Sequence, residues 1–203
     1  TKCLDGATPA AFKEMLRVAK YVLDTSTLGL KIKPVLPSKK LLWNLYVYSD
    51  SDWAGDKDNH RLVSGFVIFV CGIPVAWRSK QQGSVALSSS EAEFIAASEV
   101  VKEVLFIVQV LDSVGIEAEK PVIVRVDNMG AVFMSQNNTS SARTRHVDIR
   151  WHFVRELVDE KEIEIQFVRS LENKSDGFTK NLGSELHDRH AADFVWDRSD
   201  VDK

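Results

Sequence analysis

The order of apolar periods along the chain predicts an α/β fold, a mixed five-stranded sheet flanked by helices. Three observations carry that expectation. Three strand-like segments follow one another closely between residues 41 and 77, as in an antiparallel meander. Two further β-branched strands are reached only through helices, which suggests parallel pairing. No apolar run approaches the ~20 residues of a membrane span, and the longest, Phe66 to Cys71, has strand length.

The elements follow in order. Residues 8 to 24 read as an amphipathic helix, with Phe12, Leu16, Ala19 and Val22 at three- and four-residue steps and Thr8-Pro9 as cap and first-turn proline. Leu28 to Ile32 reads as a short strand. Pro34, Pro37 and Ser38 to Lys40 then break the pattern and mark a domain boundary. Leu41 to Ser49, Val63 to Cys71 and Ile73 to Trp77 are the meander, with a hairpin turn at Cys71-Gly72. Ser88-Ser89-Ser90-Glu91 supplies cap chemistry for a long helix whose apolar positions run through Ala97, Val101, Val104, Val108 and Leu111 to a stop at Gly115. Val122 to Val126 is a buried strand and Asn128 to Ser135 a short helix, followed by a polar loop over 136–142. Arg145 to Asp159 is helical, Ile163 to Phe167 alternates as a strand, and Asn173 to Asn181 is expected to form a final helix.

Composition is that of a soluble globular chain, with 44% apolar and 27% charged residues. The two cysteines, Cys3 and Cys71, form no CxxC pair, so neither a disulfide framework nor a zinc site is expected and a reducing compartment is the default reading. The net charge of −3 does not mark a nucleic-acid binder. Its distribution says more: residues 143 to 155 hold four arginines and two histidines against the single acid Asp148. That run reads equally well as a phosphate-binding surface or a solvated helix face.

Four carboxylates stand out. Asp50 directly follows the first meander strand, and Asp127 directly follows Val122 to Val126. Acids at the ends of neighbouring buried strands can meet at one sheet edge, where ligands of α/β folds tend to bind. On the long helix, Glu93 shares a face with Ala97, Val100, Val101 and Val104, whereas Glu91 lies about 200° around the helix from it. An inward carboxylate on an apolar face is costly unless paired or bound to metal. Asp176 stands at or near the start of the expected final helix. Four such acids suit hard divalent ions, Mg²⁺ above all; a pair of ions about 4 Å apart can activate a water and stabilise the leaving oxygen of a phosphodiester. Each acid alone also reads as a capping or solvated residue, and spacing by itself does not bring them together.

The stretch Tyr48 to Ala97, with YSDSDWAGD, SGF, WRSKQQ and VALSSSEAEF in that order, resembles the ribonuclease H domain of copia-type (pseudovirus) LTR retrotransposon polyproteins. Val126-Asp127-Asn128, the run Arg145 to Glu156 and Ser175 to Lys180 continue the resemblance over about residues 41 to 182. Several long motifs in one order are far more specific than any short one. Residues 8 to 33 resemble the helix and strand that join the reverse transcriptase to this domain. The resemblance implies three parts: 1–38 as the tail of that connection, 39–183 as the ribonuclease H domain and 184–203 as a polar C-terminal tail.

It further implies a ribonuclease H-like fold and four metal-binding catalytic acids, Asp50, Glu93, Asp127 and Asp176. The helix geometry selects Glu93 independently. Asp52, two residues beyond Asp50 in the same motif, is the alternative first ligand. Two Mg²⁺ ions are implied, with Mn²⁺ able to substitute, along with hydrolysis of the RNA strand of an RNA–DNA hybrid to 3′-hydroxyl and 5′-phosphate ends. Ser89, Ser90, Asn128, Gln82, Arg145, His146 and Arg150 are the expected substrate contacts, with Ser88, Arg78 and Lys80 beside them. RNA would be told from DNA by 2′-hydroxyl contacts and groove shape. The implied partners are the hybrid and the reverse transcriptase domain of the same polyprotein, with no membrane; the implied location is cytoplasmic, in a virus-like particle, with the nucleus as a second site. The histidine that many cellular ribonucleases H carry shortly before the fourth acid has no counterpart in Arg169 to Asn173. Trp53, Trp77 and Trp151 are expected in the core. A rival reading keeps the fold as an inactive nucleic-acid-binding scaffold; it predicts loss of one or more acids, and all four are present.

Overall fold

The structure is a computed structural model that describes residues 8–36, 42–53, 62–83, 86–136 and 145–198, with only the backbone of 145–148. The polar loop 136–142, apart from Gln136, and the break at 37–40 lie outside the described residues. In chain order the elements are α1 (Pro9–Asp24), β1 (Leu28–Leu30), β2 (Leu42–Trp43), β3 (Leu45–Asp52), β4 (Val63–Val70), β5 (Ile73–Gln81), α2 (Ser89–Ser113), β6 (Glu117–Ala118), β7 (Val122–Val126), α3 (Met129–Gln136), α4 (Arg145–Asp159), β8 (Ile163–Phe167), α5 (Ser184–Phe194) and β9 (Val195–Asp197). Short 3₁₀ turns occupy Ser170–Glu172 and Asp176–Phe178.

The chain forms two compact units, one of residues 32–191 and one of residues 1–31 with 192–203. In the larger unit five strands run in the order β5-β4-β3-β7-β8. β3, β4 and β5 pair antiparallel, and β7 lies parallel to both β3 and β8. This is the mixed sheet expected from the meander and the helical crossovers. The hairpin between β4 and β5 turns at Cys71 and Gly72, both with positive φ (49° and 82°). Two residues in the left-handed region match the twist of the flanking strands, and glycine takes one of the positions without steric cost.

The core lies between this sheet and the helices. Val47, Ile68, Val124, Ile163 and Ile165 from the strands pack with Phe94, Ala97, Val100, Val101 and Val104 of α2 and with Trp151 and Val154 of α4. Fully burying one such aliphatic side chain contributes roughly 1.5–3 kcal/mol. Helix α2 starts where its caps dictate: the Ser88 hydroxyl accepts from the Glu91 amide, and the Glu91 carboxylate accepts from the Leu87 amide at 2.9 Å.

The smaller unit pairs β1 with β9 antiparallel. Within the expected polar tail, residues 184–197 form α5 and β9. Two expectations are corrected. Asn173 to Asn181 forms only a 3₁₀ turn, because the Asn173 and Ser175 side chains bond locally and Gly177 follows at once. Trp53 and Trp77 are about half exposed, 52% and 51%; Trp77 sits on β5, an edge strand, and only Trp151 is buried.

Candidate metal centre

The parallel register sets the centre. Tyr46, Val47 and Tyr48 of β3 pair with Ile123, Val124 and Arg125 of β7. Continued two residues, the same register puts Asp50 beside Asp127. Asp50, Asp127 and Asp176 each offer a carboxylate oxygen, and these oxygens lie within 4.8 Å of one another. Asp50 is fully buried, Asp176 is buried and Asp127 is half-buried. Asp52 lies outside this set of three.

Asp176 comes to the strand ends through the segment that follows β8. Asn173, fully buried, donates its amide to the Ser49 carbonyl at 3.1 Å and accepts from the backbone and hydroxyl of Ser175. The segment thereby lies against β3. The turn Asp176–Phe178 then delivers two more side chains to Asp50: the Thr179 hydroxyl donates to Oδ2, and the Lys180 ammonium donates to Oδ1 at 3.1 Å. Lys180 also reaches Asp176 Oδ1 at 3.2 Å. Opposite, Gly65 pairs with Asp50 across the β3–β4 ladder. A Cβ at Gly65 would stand 2.7 Å from Thr179 Cγ2 and 2.8 Å from Phe178 Cβ, so the turn seats against bare backbone.

Glu93 projects from the first turns of α2 toward the same place. Its Oε1 accepts from the Ser51 amide at 2.9 Å, while its buried Oε2 has no hydrogen-bond partner among the described residues. Burial, then the Asp50 and Asp127 charges, push its carboxyl up to about 9. Burial and the Asp50 charge push Asp176 up to about 6 against the pull of Lys180. Burial raises Asp50 despite the bonds from Thr179 and Lys180. Burial alone would lower the Lys180 ammonium, but Asp50 and Asp176 outweigh it and hold it above the usual lysine range. A set of crowded buried acids, one with an orphaned oxygen, fits a hard divalent cation, which takes oxygen ligands and offsets their mutual repulsion.

The other expected residues take varied places. Asn128 Oδ1 accepts from the Ser90 hydroxyl at 3.0 Å and from the Gly130 and Ala131 amides, capping α3 next to Asp127. Ser89 is exposed in the first turn of α2. Gln82 is buried, and its amide nitrogen bonds Ser64 and the Ala92 carbonyl, so it ties β4 to α2 rather than offering that group to a ligand. Arg150 lies 4.0 Å from Glu99, and Arg78 pairs with Glu103 at 3.3 Å. The Arg145 and His146 side chains lie outside the described residues. Asn173, Thr179 and Lys180 were not singled out from sequence, although Thr179 and Lys180 belong to the Ser175–Lys180 motif.

No family model matches the chain. Over 133 residues, 66% of this chain, it is 38% identical to the retrovirus-related Pol polyprotein from transposon TNT 1-94 of Nicotiana tabacum. The chain is a relative of retrotransposon Pol polyproteins. The match to the Pol polyprotein from transposon RE1 of Arabidopsis thaliana covers 86% of the chain at 30% identity. The chain spans about a tenth of the length of these relatives, 10% and 12%. Among solved structures, LC11-RNase H1 in complex with an RNA/DNA hybrid superposes with a TM-score of 0.50 at 15% identity, over 67% of this chain and 94% of that one. The Pol-related chain thus has the ribonuclease H-like fold.

Proposed function

We propose that this chain is the ribonuclease H domain of a retroelement polyprotein, hydrolysing the RNA strand of RNA–DNA hybrids. The convergence of Asp50, Asp127 and Asp176, with Glu93 beside them, at the ends of two parallel strands in a ribonuclease H-like fold carries this reading. These four carboxylates would hold the divalent ions, Mg²⁺ or Mn²⁺. When bound, the metal supplies an activated water and charge stabilisation for the leaving oxygen. Water oxygen adds to the scissile phosphorus as the P–O3′ bond breaks, which leaves a 5′-phosphate and a 3′-hydroxyl.

The chain's own residues position the hybrid. With Asn128 Oδ1 engaged by three donors, its amide nitrogen is left as a donor beside Asp127, suited to a 2′-hydroxyl or phosphate oxygen. Ser90 fixes that orientation, and Ser89 adds an exposed hydroxyl nearby. Arg145, His146 and Arg150 would meet phosphates. The reverse transcriptase of the same polyprotein is the proposed partner in cis.

The test is a labelled hybrid incubated with the full chain and Mg²⁺. The wild type cuts only the RNA strand, and Asp127→Asn, which keeps the shape but removes a ligand charge, slows cutting about 100-fold or more. An intact RNA strand with the wild type, or Asp127→Asn cutting at the wild-type rate, refutes the proposal.

A further inference from the structure

Among the described residues, Lys180 is the one cation whose bonds link two of the clustered acids. Its ammonium lies 3.1 Å from Asp50 Oδ1 and 3.2 Å from Asp176 Oδ1. The other oxygen of Asp50 is engaged by the Thr179 hydroxyl. Each oxygen of this fully buried carboxylate therefore already accepts one hydrogen bond. A divalent cation that joins the three aspartates comes to oxygens on which the Lys180 ammonium already sits, and the two positive charges repel.

The two donors are not equally replaceable. Thr179 is carried directly by the 3₁₀ turn, its hydroxyl also lying 3.1 Å from the Asp176 carbonyl. Lys180 presents a strongly hydrated point charge on a flexible four-carbon stem. Its side chain is 35% exposed, so water can receive the ammonium as it leaves. Arriving and departing groups are both cations, and the charge that screens three crowded carboxylates is replaced by a larger one.

We infer that Lys180 is a built-in counter-cation, which holds Asp50 and Asp176 together in the metal-free chain and is displaced when a divalent cation binds. The inference rests on the cluster being a metal centre. Lys180 is then a positioning residue: it lets the fold assemble its acids before metal arrives, and it competes with the metal for them.

The experiment compares full-length wild type, Lys180→Met and Lys180→Arg in one buffer. Calorimetric titration with Mn²⁺ and thermal unfolding, in chelator and in saturating Mg²⁺, are the readouts. Lys180→Met should bind Mn²⁺ about tenfold more tightly, equivalent to about 1.4 kcal/mol. It should unfold at a lower temperature than wild type in chelator and regain most of the difference in Mg²⁺. Lys180→Arg, which keeps the charge, should stay close to wild type in chelator. In the wild type, the Lys180 ammonium signal in nitrogen-15 NMR should shift and exchange faster with water as Mg²⁺ is added. Equal or weaker Mn²⁺ binding by Lys180→Met, failure of that variant to fold in Mg²⁺, or a Lys180 signal unmoved at Mg²⁺ saturation each overturns the inference. If the wild type binds Mn²⁺, only this inference falls; if no variant binds Mn²⁺, the metal-centre reading falls with it.

Discussion

Glu93 is buried with one oxygen on a backbone amide and the other without a hydrogen-bond partner among the described residues, and its carboxyl is pushed up to about 9. Asp176 is pushed up to about 6. Without metal the folded chain therefore keeps protons that the unfolded chain has already released. Stability from these groups is full below the ordinary carboxylate range and is lost as pH rises, through about 6 for Asp176 and about 9 for Glu93. Each proton so held tilts stability by about 1.4 kcal/mol per pH unit in its window. In chelator, the unfolding midpoint should fall between pH 5 and pH 9, and Glu93→Gln should flatten the upper part of that fall. Saturating Mg²⁺ favours the charged carboxylates and should weaken or reverse the trend. A midpoint that climbs from pH 5 to 9 in chelator would contradict this account.

At the scale of elements, the turn Asp176–Phe178 and strand β4 work as one device. The turn can bring Thr179 and Lys180 onto Asp50 only because β4 carries no side chain at Gly65. Gly65→Ala forces a methyl group against the turn, an overpacking that typically costs about 1–3 kcal/mol. The expected outcome is a folded chain, by circular dichroism, with Mn²⁺ binding weakened about tenfold; unchanged affinity would show that the turn has room to shift. Nothing along the chain announces this fit, since Gly65 and Phe178 are distant in sequence. The strands and Glu93 were legible because their periods of 2 and 3.6 are local. Asp50 and Asp127 were legible as strand ends, whereas their alignment depends on pairing. Thr179 and Lys180 escaped notice because their partner, Asp50, lies some 130 residues away. Helix α5 escaped because SELHDRHAADF carries only two large apolar side chains, Leu186 and Phe194, and Trp77 misled because β5 is an edge strand.

At the scale of the whole molecule, the two units differ in how much they bury. Residues 32–191 contain the five-stranded sheet and its apolar core. The other unit has one two-stranded sheet of three-residue strands, and α1 contains no buried residue. An isolated two-stranded ribbon is marginal in water. Native-state hydrogen exchange should thus show the amides of Leu28 to Leu30 and of α1 exchanging at least about 100-fold faster than those of Val67 and Val124, a difference of roughly 2.7 kcal/mol in opening free energy. Equal protection across both units would mean that they unfold together.

The parallel pairing of β3 with β7 places Asp50 and Asp127 in one row, and that has a meaning for insertions and deletions. Between the two acids the chain passes through β4, β5, α2 and β6 before β7, and the loops that join them can vary in length without disturbing the row. Within Leu45–Asp50 and Val122–Asp127 no such freedom exists. Loss or gain of one residue there would turn the acid to the opposite face of the sheet. Among relatives, gaps should therefore gather in the connections and stop short of these two hexapeptides, so that parity, rather than spacing, is what descent must preserve.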